Sequence, residues 1–328
     1  MLNLLKLFRK KKVGLALGSG GAKGMAHIAV IEFLGSMGIP INYIAGSSIG
    51  SLVGALYCCG SLGRFKEDMR KMTRKDMLSL FDPVFPRSGL LQGADFMEFM
   101  KKYIPPETKI EDLPVSLAVT STDYTDGKTV IFRTGNLLEA VRASISIPGI
   151  LVPVKYRGTY LIDGGVSNPL PVNVLKKMGA GFTIAVNLHP AVSKIRLKKY
   201  ARSVDIRTVV DARDLEVVRE EAPREIPGKE EDGGSFFKTI EKYLGSEKDR
   251  EKEKRPSIFD ILMKSFDIME FMNTRMMLKY NPPTVLLEPD ALEYGTMDFM
   301  DFDSIMDAGL RACIKARGNL KRRIGLWV

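Results

Sequence analysis

A chain of 328 residues, 45% hydrophobic and 27% charged, is long enough to bury one large α/β core carrying an insertion, and it has the make-up of a globular protein. No apolar run approaches the roughly 18 residues that a membrane-spanning helix needs, and three cysteines (adjacent Cys58 and Cys59, distant Cys313) form neither a disulfide framework nor a metal-ligand spacing, so they read as reduced core residues. The net charge of +10 gathers at the two ends, in Arg9 to Lys12 behind Leu4, Leu5, Leu7 and Phe8, and in Arg317, Lys321, Arg322 and Arg323 ahead of Leu326 and Trp327; apolar residues beside a basic cluster suit a bilayer surface or, equally, solvated termini.

At the start of the chain the apolar residues precede the basic ones, the reverse of a secretory signal, so the expected location is cytoplasmic with peripheral membrane contact. Val13 to Leu17 is a short buried strand entering Gly18-Ser19-Gly20-Gly21-Ala22-Lys23-Gly24, after which Ala26, Ile28, Ala29, Ile31, Phe33 and Leu34 continue as a buried helix. A second apolar run from Ile41 ends in Gly46-Ser47-Ser48-Ile49-Gly50, and helical spacing resumes through Leu52, Val53, Leu56 and Tyr57. Two such units in succession imply a parallel sheet with right-handed crossovers. A glycine loop after a first strand also suggests a dinucleotide site, but Lys23 stands where a third glycine should be and the second strand ends in Ala45-Gly46 without a ribose-binding acid. No cofactor is expected.

Further along, Arg64 to Leu80 reads as an amphipathic surface helix, and Gly93 to Ile104 as a helix rich in Met and Phe. Val115 to Thr122 and Lys128 to Arg133 pair across the turn residues Thr125-Asp126-Gly127. Glu139 to Ser144 begins a helix stopped at Pro148-Gly149; Val152 to Tyr156 and Thr159 to Ile162 form a second hairpin that runs straight into Asp163-Gly164-Gly165. Phe182 to Asn187 is another buried strand. From Ser193 to Arg255 charges of both signs alternate and aliphatic clusters shorten, the composition of a mobile insertion. Ser257 to Tyr280 resumes as a strong helix with Ile258, Ile261, Leu262, Phe266, Met269, Met272 and Met276 on one face; Thr284 to Leu287 is a last strand and Phe302 to Ile324 a terminal helix. The organisation is therefore a basic apolar segment 1–12, a core 13–192, the insertion 193–255, and 256–328 completing the domain that the core begins. The Met-rich segments Phe96 to Met100 and Met269 to Met277 are candidates for a pliable wall around an alkyl chain.

The G-x-S-x-G turn singles out Ser48: glycines at 46 and 50 let the chain reverse and leave a serine hydroxyl exposed at a strand end, with its amide at a helix N-terminus. A serine nucleophile needs a base and a site for the oxyanion. Of two histidines, His27 lies inside a helix where a core role is expected, and His189 follows a strand beside Pro190. With histidine a weak candidate, a carboxylate acting directly on serine remains, and Asp163 lies where a strand gives way to a glycine turn. Backbone N–H groups in the loop that opens the first helix can hold the oxyanion of an acyl-transfer reaction.

Taken in that order, Gly18-Ser-Gly-Gly-Ala-Lys-Gly24, Gly46-Ser-Ser-Ile-Gly50 and Asp163-Gly-Gly165 resemble the patatin-like phospholipases. Ser144-Ile-Ser-Ile-Pro-Gly-Ile150, Asn168-Pro-Leu-Pro171 and Met297-Asp-Phe-Met-Asp-Phe302 are also similar to that family, so the likeness covers nearly all of the chain except 193–255. The resemblance implies a three-layer α/β fold with a central, mostly parallel sheet flanked by helices, and hydrolysis of phospholipid or lysophospholipid acyl esters without metal. It implies Ser48 as nucleophile, Asp163 as base, the amides of Gly20, Gly21 and Ala22 as the oxyanion hole, and Lys23 as the family's basic loop residue, with Gly18, Gly24, Gly46, Gly50, Gly164 and Gly165 supporting the turns. One departure is Ser19, where the family often has the middle of three glycines. The expected partner is a lipid, not nucleic acid; a catalytically weak, membrane-associated binding or scaffold protein of the same fold is the alternative. Head group, chain length, positional preference and oligomeric state are not encoded in any motif.

Overall fold

The computed structural model describes residues 12–80, 91–189 and 258–325. The expectations for 1–11, for the insertion 193–255 and for Leu326 and Trp327 lie outside the described residues.

The chain begins with β1 (Val13–Leu17), a 3-10 turn over Gly21–Met25 and α1 (Ala26–Ser36), then β2 (Tyr43–Ser47) and α2 (Ile49–Cys58). Every residue of β1 is buried, as expected of a central parallel strand covered on both faces. Next come α3 (Leu62–Lys71) and α4 (Arg74–Leu78). The single helix expected over 64–80 is broken between them because Thr73 starts α4: its hydroxyl accepts from the Asp76 N–H while the Asp76 carboxylate accepts from the Thr73 N–H, a reciprocal cap. After α5 (Ala94–Met100) the two expected hairpins form as β3 (Ser116–Asp123) with β4 (Thr129–Phe132), and β5 (Val154–Tyr156) with β6 (Thr159–Asp163), separated by α6 (Leu137–Ser144). The remainder is α7 (Val172–Lys177), β7 (Phe182–Val186), the long α8 (Ile258–Tyr280), β8 (Val285–Leu287) and α9 (Phe302–Gly325).

Among the described residues eight strands make one mixed sheet in the order β5-β6-β3-β2-β1-β7-β8, with β4 on β3. The pairs β3–β2, β2–β1, β1–β7 and β7–β8 are parallel, and the two hairpins and the β3–β6 pair are antiparallel. Side chains alternate across it, as the two-residue period requires. Leu15, Leu17, Ile44, Val119 and Ile184 enter a large core with α1, α2 and α9. Ala16, Ala45, Ala118 and Ala185 stand side by side in register and enter a smaller one. That row of four methyl groups lets α7 lie close to the sheet through Val172, Val174 and Leu175.

The face of α8 turned inward differs from the one read from its sequence. Phe266 of the expected stripe is buried, but so are Glu270 and Thr274, whereas Ile261, Leu262, Met272 and Met276 are about half exposed. Helical spacing identified an apolar stripe, but burial follows the partner surface, which is polar where Glu270 meets Ser19 and Asn273 meets the Val166 carbonyl.

Candidate active site

β3 brings the two halves of the site together. Its one edge pairs in parallel with β2 as far as Ser47↔Thr120; the next position, Ser121, pairs with Asp163 of antiparallel β6. β4 occupies the opposite edge over the same stretch, so β6 must continue the edge that β2 leaves. Ser48 therefore leaves β2 where Asp163 ends β6. Residues 115 apart in sequence meet: Ser48 Oγ donates to Asp163 Oδ2 at 2.6 Å, and both side chains are buried.

The turn at Ser48 is strained. Its φ of 52° is left-handed, an unfavourable region for serine, held because α2 starts immediately and Ser51 donates through both its amide (2.8 Å) and its hydroxyl (2.6 Å) to the Ser48 carbonyl. Gly50 is required by close approach, since a Cβ there would strike the Leu17 carbonyl of β1. The Ser48 N–H, expected at a helix N-terminus open to negative charge, instead donates to Ser144 Oγ at 2.9 Å.

Asp163 is fully buried and held in place by its neighbours. Oδ1 accepts the Gly165 N–H at 2.7 Å, and its own N–H donates to the Ser146 carbonyl at 2.9 Å. Burial, and next the charge of Glu270, hold its carboxyl well above the usual carboxylate range, with the Ser48 and Gly165 hydrogen bonds opposing. A carboxylate so raised is a better proton acceptor than a free aspartate.

The glycine loop lies against both. Its positive φ angles fall at Gly20 (152°) and Gly21 (57°), not at Ser19, so serine is accommodated without strain. Gly18 N–H donates to Val186 O at 3.2 Å and Ser19 N–H to Pro169 O at 2.8 Å. The expected donor Ala22 is a correction: its N–H is committed to the Thr296 carbonyl at 2.8 Å. Gly20 and Gly21 N–H have no protein partner among the described residues. Lys23 is buried in the 3-10 turn, with no carboxylate within ion-pair distance among the described residues. His27 lies beneath the loop, donating from Nε2 to the Gly18 carbonyl at 2.8 Å; burial pushes its pKa down to about 4, which keeps the ring neutral.

A cavity of about 110 Å³ opens beside Ser48 and Gly21. Apart from Ser48 its described lining is apolar, with Met25, Leu52, Phe65, Met69, Met77, Phe96, Phe99, Ile147, Met297 and Phe299 among the walls. Of the two Met-rich segments expected there, the first contributes Phe96 and Phe99. The second does not contribute among the described residues: Met272 and Met276 are half exposed, and the lining contains no residue of α8.

The sequence reading missed Glu270 altogether. It sits on the inner face of α8, where its Oε1 accepts from Ser19 Oγ and its Oε2 lies 2.9 Å from His189 Nε2, an ion-pair distance at an angle outside that of a hydrogen bond. His189, considered as a base for Ser48, is thus placed on Glu270. The only advance sign of Glu270 was an acid within an apolar helix.

The family model described as patatin-like phospholipase matches residues 15–176. An uncharacterised NTE family protein of Mycobacterium tuberculosis (strain H37Rv) is 40% identical over 178 residues, 54% of this chain and 49% of that protein. Lysophospholipase NTE1 of Meyerozyma guilliermondii is 30% identical over 313 residues, 94% of this chain and 19% of that protein. The chain therefore spans about half the length of the first relative and about a fifth of the second. Among solved structures, VipD from Legionella pneumophila matches with a TM-score of 0.31 at 13% identity, covering 96% of this chain and 77% of that one, a likeness too low to bear on function.

Proposed function

This chain carries a patatin-like phospholipase domain over residues 15–176, and from that premise we propose that it is a serine acyl hydrolase cleaving fatty-acyl esters of lysophospholipids or phospholipids. One observation carries the reading: the 2.6 Å hydrogen bond from Ser48 Oγ to Asp163 Oδ2, buried at the end of an apolar cavity. Ser48 Oγ attacks the ester carbonyl as Asp163 takes its proton. The proton passes to the departing alcohol oxygen as the carbon–oxygen ester bond breaks, leaving an acyl-serine. Water, deprotonated by Asp163, then releases the fatty acid and restores the hydroxyl. Gly20 and Gly21 N–H stabilise the tetrahedral oxyanion, each donor worth about 2.7–4 kcal/mol of barrier. The apolar walls take the acyl chain, and the name lysophospholipase on the relative that matches 94% of this chain supports a single-chain lipid.

Such a substrate is met at a micelle or bilayer surface. Among the described residues no helix is long and apolar enough to cross a membrane. The outer face of α8 supports surface contact, with Ile261, Leu262, Met272 and Met276 standing half-exposed near Lys264, Arg275 and Lys279. Sedimentation with anionic vesicles at low salt tests it, and binding no greater than to neutral vesicles would refute an electrostatic contribution.

The activity is tested with p-nitrophenyl butyrate and lysophosphatidylcholine in the presence of chelator, with Ser48→Ala and Asp163→Asn checked for folding by circular dichroism. Each folded variant is expected to lose on the order of 10³-fold or more in kcat. Full activity in Ser48→Ala would sink the mechanism.

A further inference from the structure

α8 has its amphipathic character reversed where it crosses the site. A helix that leaves Met272 and Met276 half-exposed while burying Glu270 and Thr274 runs against the usual gain from apolar burial. Its polar residues are consumed one turn after another by the parts of the site. Asp267 Oδ1 accepts from Thr296 Oγ1 at 3.4 Å, and the carbonyl of that same Thr296 holds Ala22 of the glycine loop. Glu270 accepts from Ser19, in the same loop. Asn273 Nδ2 donates to the Val166 carbonyl at 2.8 Å, in the turn after Asp163.

Glu270 is the centre of this set. One oxygen serves Ser19 and the other faces His189, whose ring also lies against Gly20: a Cβ on Gly20 would come within 3.5 Å of His189 Nε2. His189 is set by its own N–H on Asn187 Oδ1 at 2.9 Å, and Asn187 by Glu288 at 2.9 Å. Glu270 also occupies the space that a Cβ on Gly165 would fill, so Gly165 is the residue that lets the carboxylate reach the Asp163 turn. We propose that Glu270 is the positioning residue of this site, holding the glycine loop through Ser19 and His189, and the Asp163 turn through Gly165, in register with each other. Ser19, the departure from a three-glycine loop, is then the hydroxyl through which the loop is anchored.

The inference rests on the proposed acyl-hydrolase reading, and its test separates the two. Among the described residues the titratable groups facing Asp163 are Ser48 from the turn before α2 and Glu270 from α8; His189, after β7, faces Glu270. Glu270→Gln keeps the shape and removes the charge that helps raise Asp163, so Asp163 ionises at lower pH and the acid limb of kcat moves to lower pH. With lysophosphatidylcholine, kcat is expected to fall on the order of 10- to 100-fold with KM within about twofold. Ser19→Ala, which removes only the anchor, is expected to lower kcat similarly with the acid limb in place. If wild type is inactive, or Ser48→Ala retains activity, the hydrolase reading fails and this inference with it. If wild type is active, Ser48→Ala is dead and Glu270→Gln keeps both the wild-type kcat and acid limb, the positioning role alone is overturned. A kcat loss that merely tracks a lowered Tm, with the limb unmoved, also overturns it. Should Glu270→Gln not fold, Ser19→Ala decides: reduced kcat at wild-type Tm and KM upholds the role, and wild-type kcat ends it.

Discussion

Two buried titratable residues of the site respond to pH in opposite senses. His27 is neutral in the fold, its pKa lowered from 6.5 to about 4 by burial. Its unfolded form takes a proton as pH drops below 6.5, so the stability linked to it is fully present above 6.5 and lost as pH falls toward 4, by about 3 kcal/mol. Chemical denaturation at a series of pH values is expected to show that loss, and His27→Asn to flatten the curve over that interval; an unchanged slope would show that His27 is not the group responsible. Asp163 is the reverse case. Its folded pKa lies above the unfolded one, so the fold holds the proton more tightly and is weakened as pH rises through the folded value. Asp163→Asn is therefore expected to raise Tm at neutral pH while abolishing turnover. Ser48 and Asp163 were both legible as residues, because a serine between two glycines and an acid before two glycines are local patterns. Glu270 was not, because nothing around it in sequence marks a buried acid.

At the scale of elements, most strands and helices arise from alternation and helical spacing, and the departures have particular causes. Thr73 with Asp76 ends one helix and begins another, a four-residue signal that continuous amphipathicity over 64–80 obscures. The apolar spacing of α8 pointed its methionines inward, and the polar undersurface of the glycine loop and the Asp163 turn drew the other face in. The cavity beside Ser48 is consequently walled by α2, α3, α4 and α5, with the segments after α6 and before α9, rather than by α8. Met69→Trp, on the buried side of α3, is expected to fill part of the cavity and move the preferred acyl chain to shorter lengths. Met269→Glu, on a helix that does not line the cavity, is expected to leave that preference unchanged. Hydrolysis of p-nitrophenyl esters from C4 to C12 distinguishes them, and an equal shift in both variants would contradict the assignment of the wall.

For the whole molecule, the family match ends at residue 176, yet the fold and the site both depend on elements beyond that point. β7 and β8 extend the parallel sheet beyond β1, α9 covers α1, and α8 supplies Glu270. Cys313, Ile305 and Leu320 of α9 are fully buried in the main core. Burying side chains of this size contributes about 1.5–3 kcal/mol each, so losing these three alone forfeits a sum comparable with a typical domain's margin of about 5–15 kcal/mol. A chain cut after residue 257 is expected to lack a cooperative thermal transition, and one that melts with the Tm of the full chain would contradict this account.

What the sequence by itself determined is local. The glycine loop after β1, the turn at Ser48, the hairpins and the parallel start of the sheet depend on backbone sterics and on residues a few places apart, and these act wherever the segment sits. Tertiary structure decided which donors remain in the glycine loop, which face of α8 is buried and what lines the cavity. Ala22 meets Thr296, Ser48 meets Asp163 across 115 positions, and Ser19 meets Glu270 across 251. Partners that distant carry no spacing rule, because the sheet order that brings them together is a property of the packed whole.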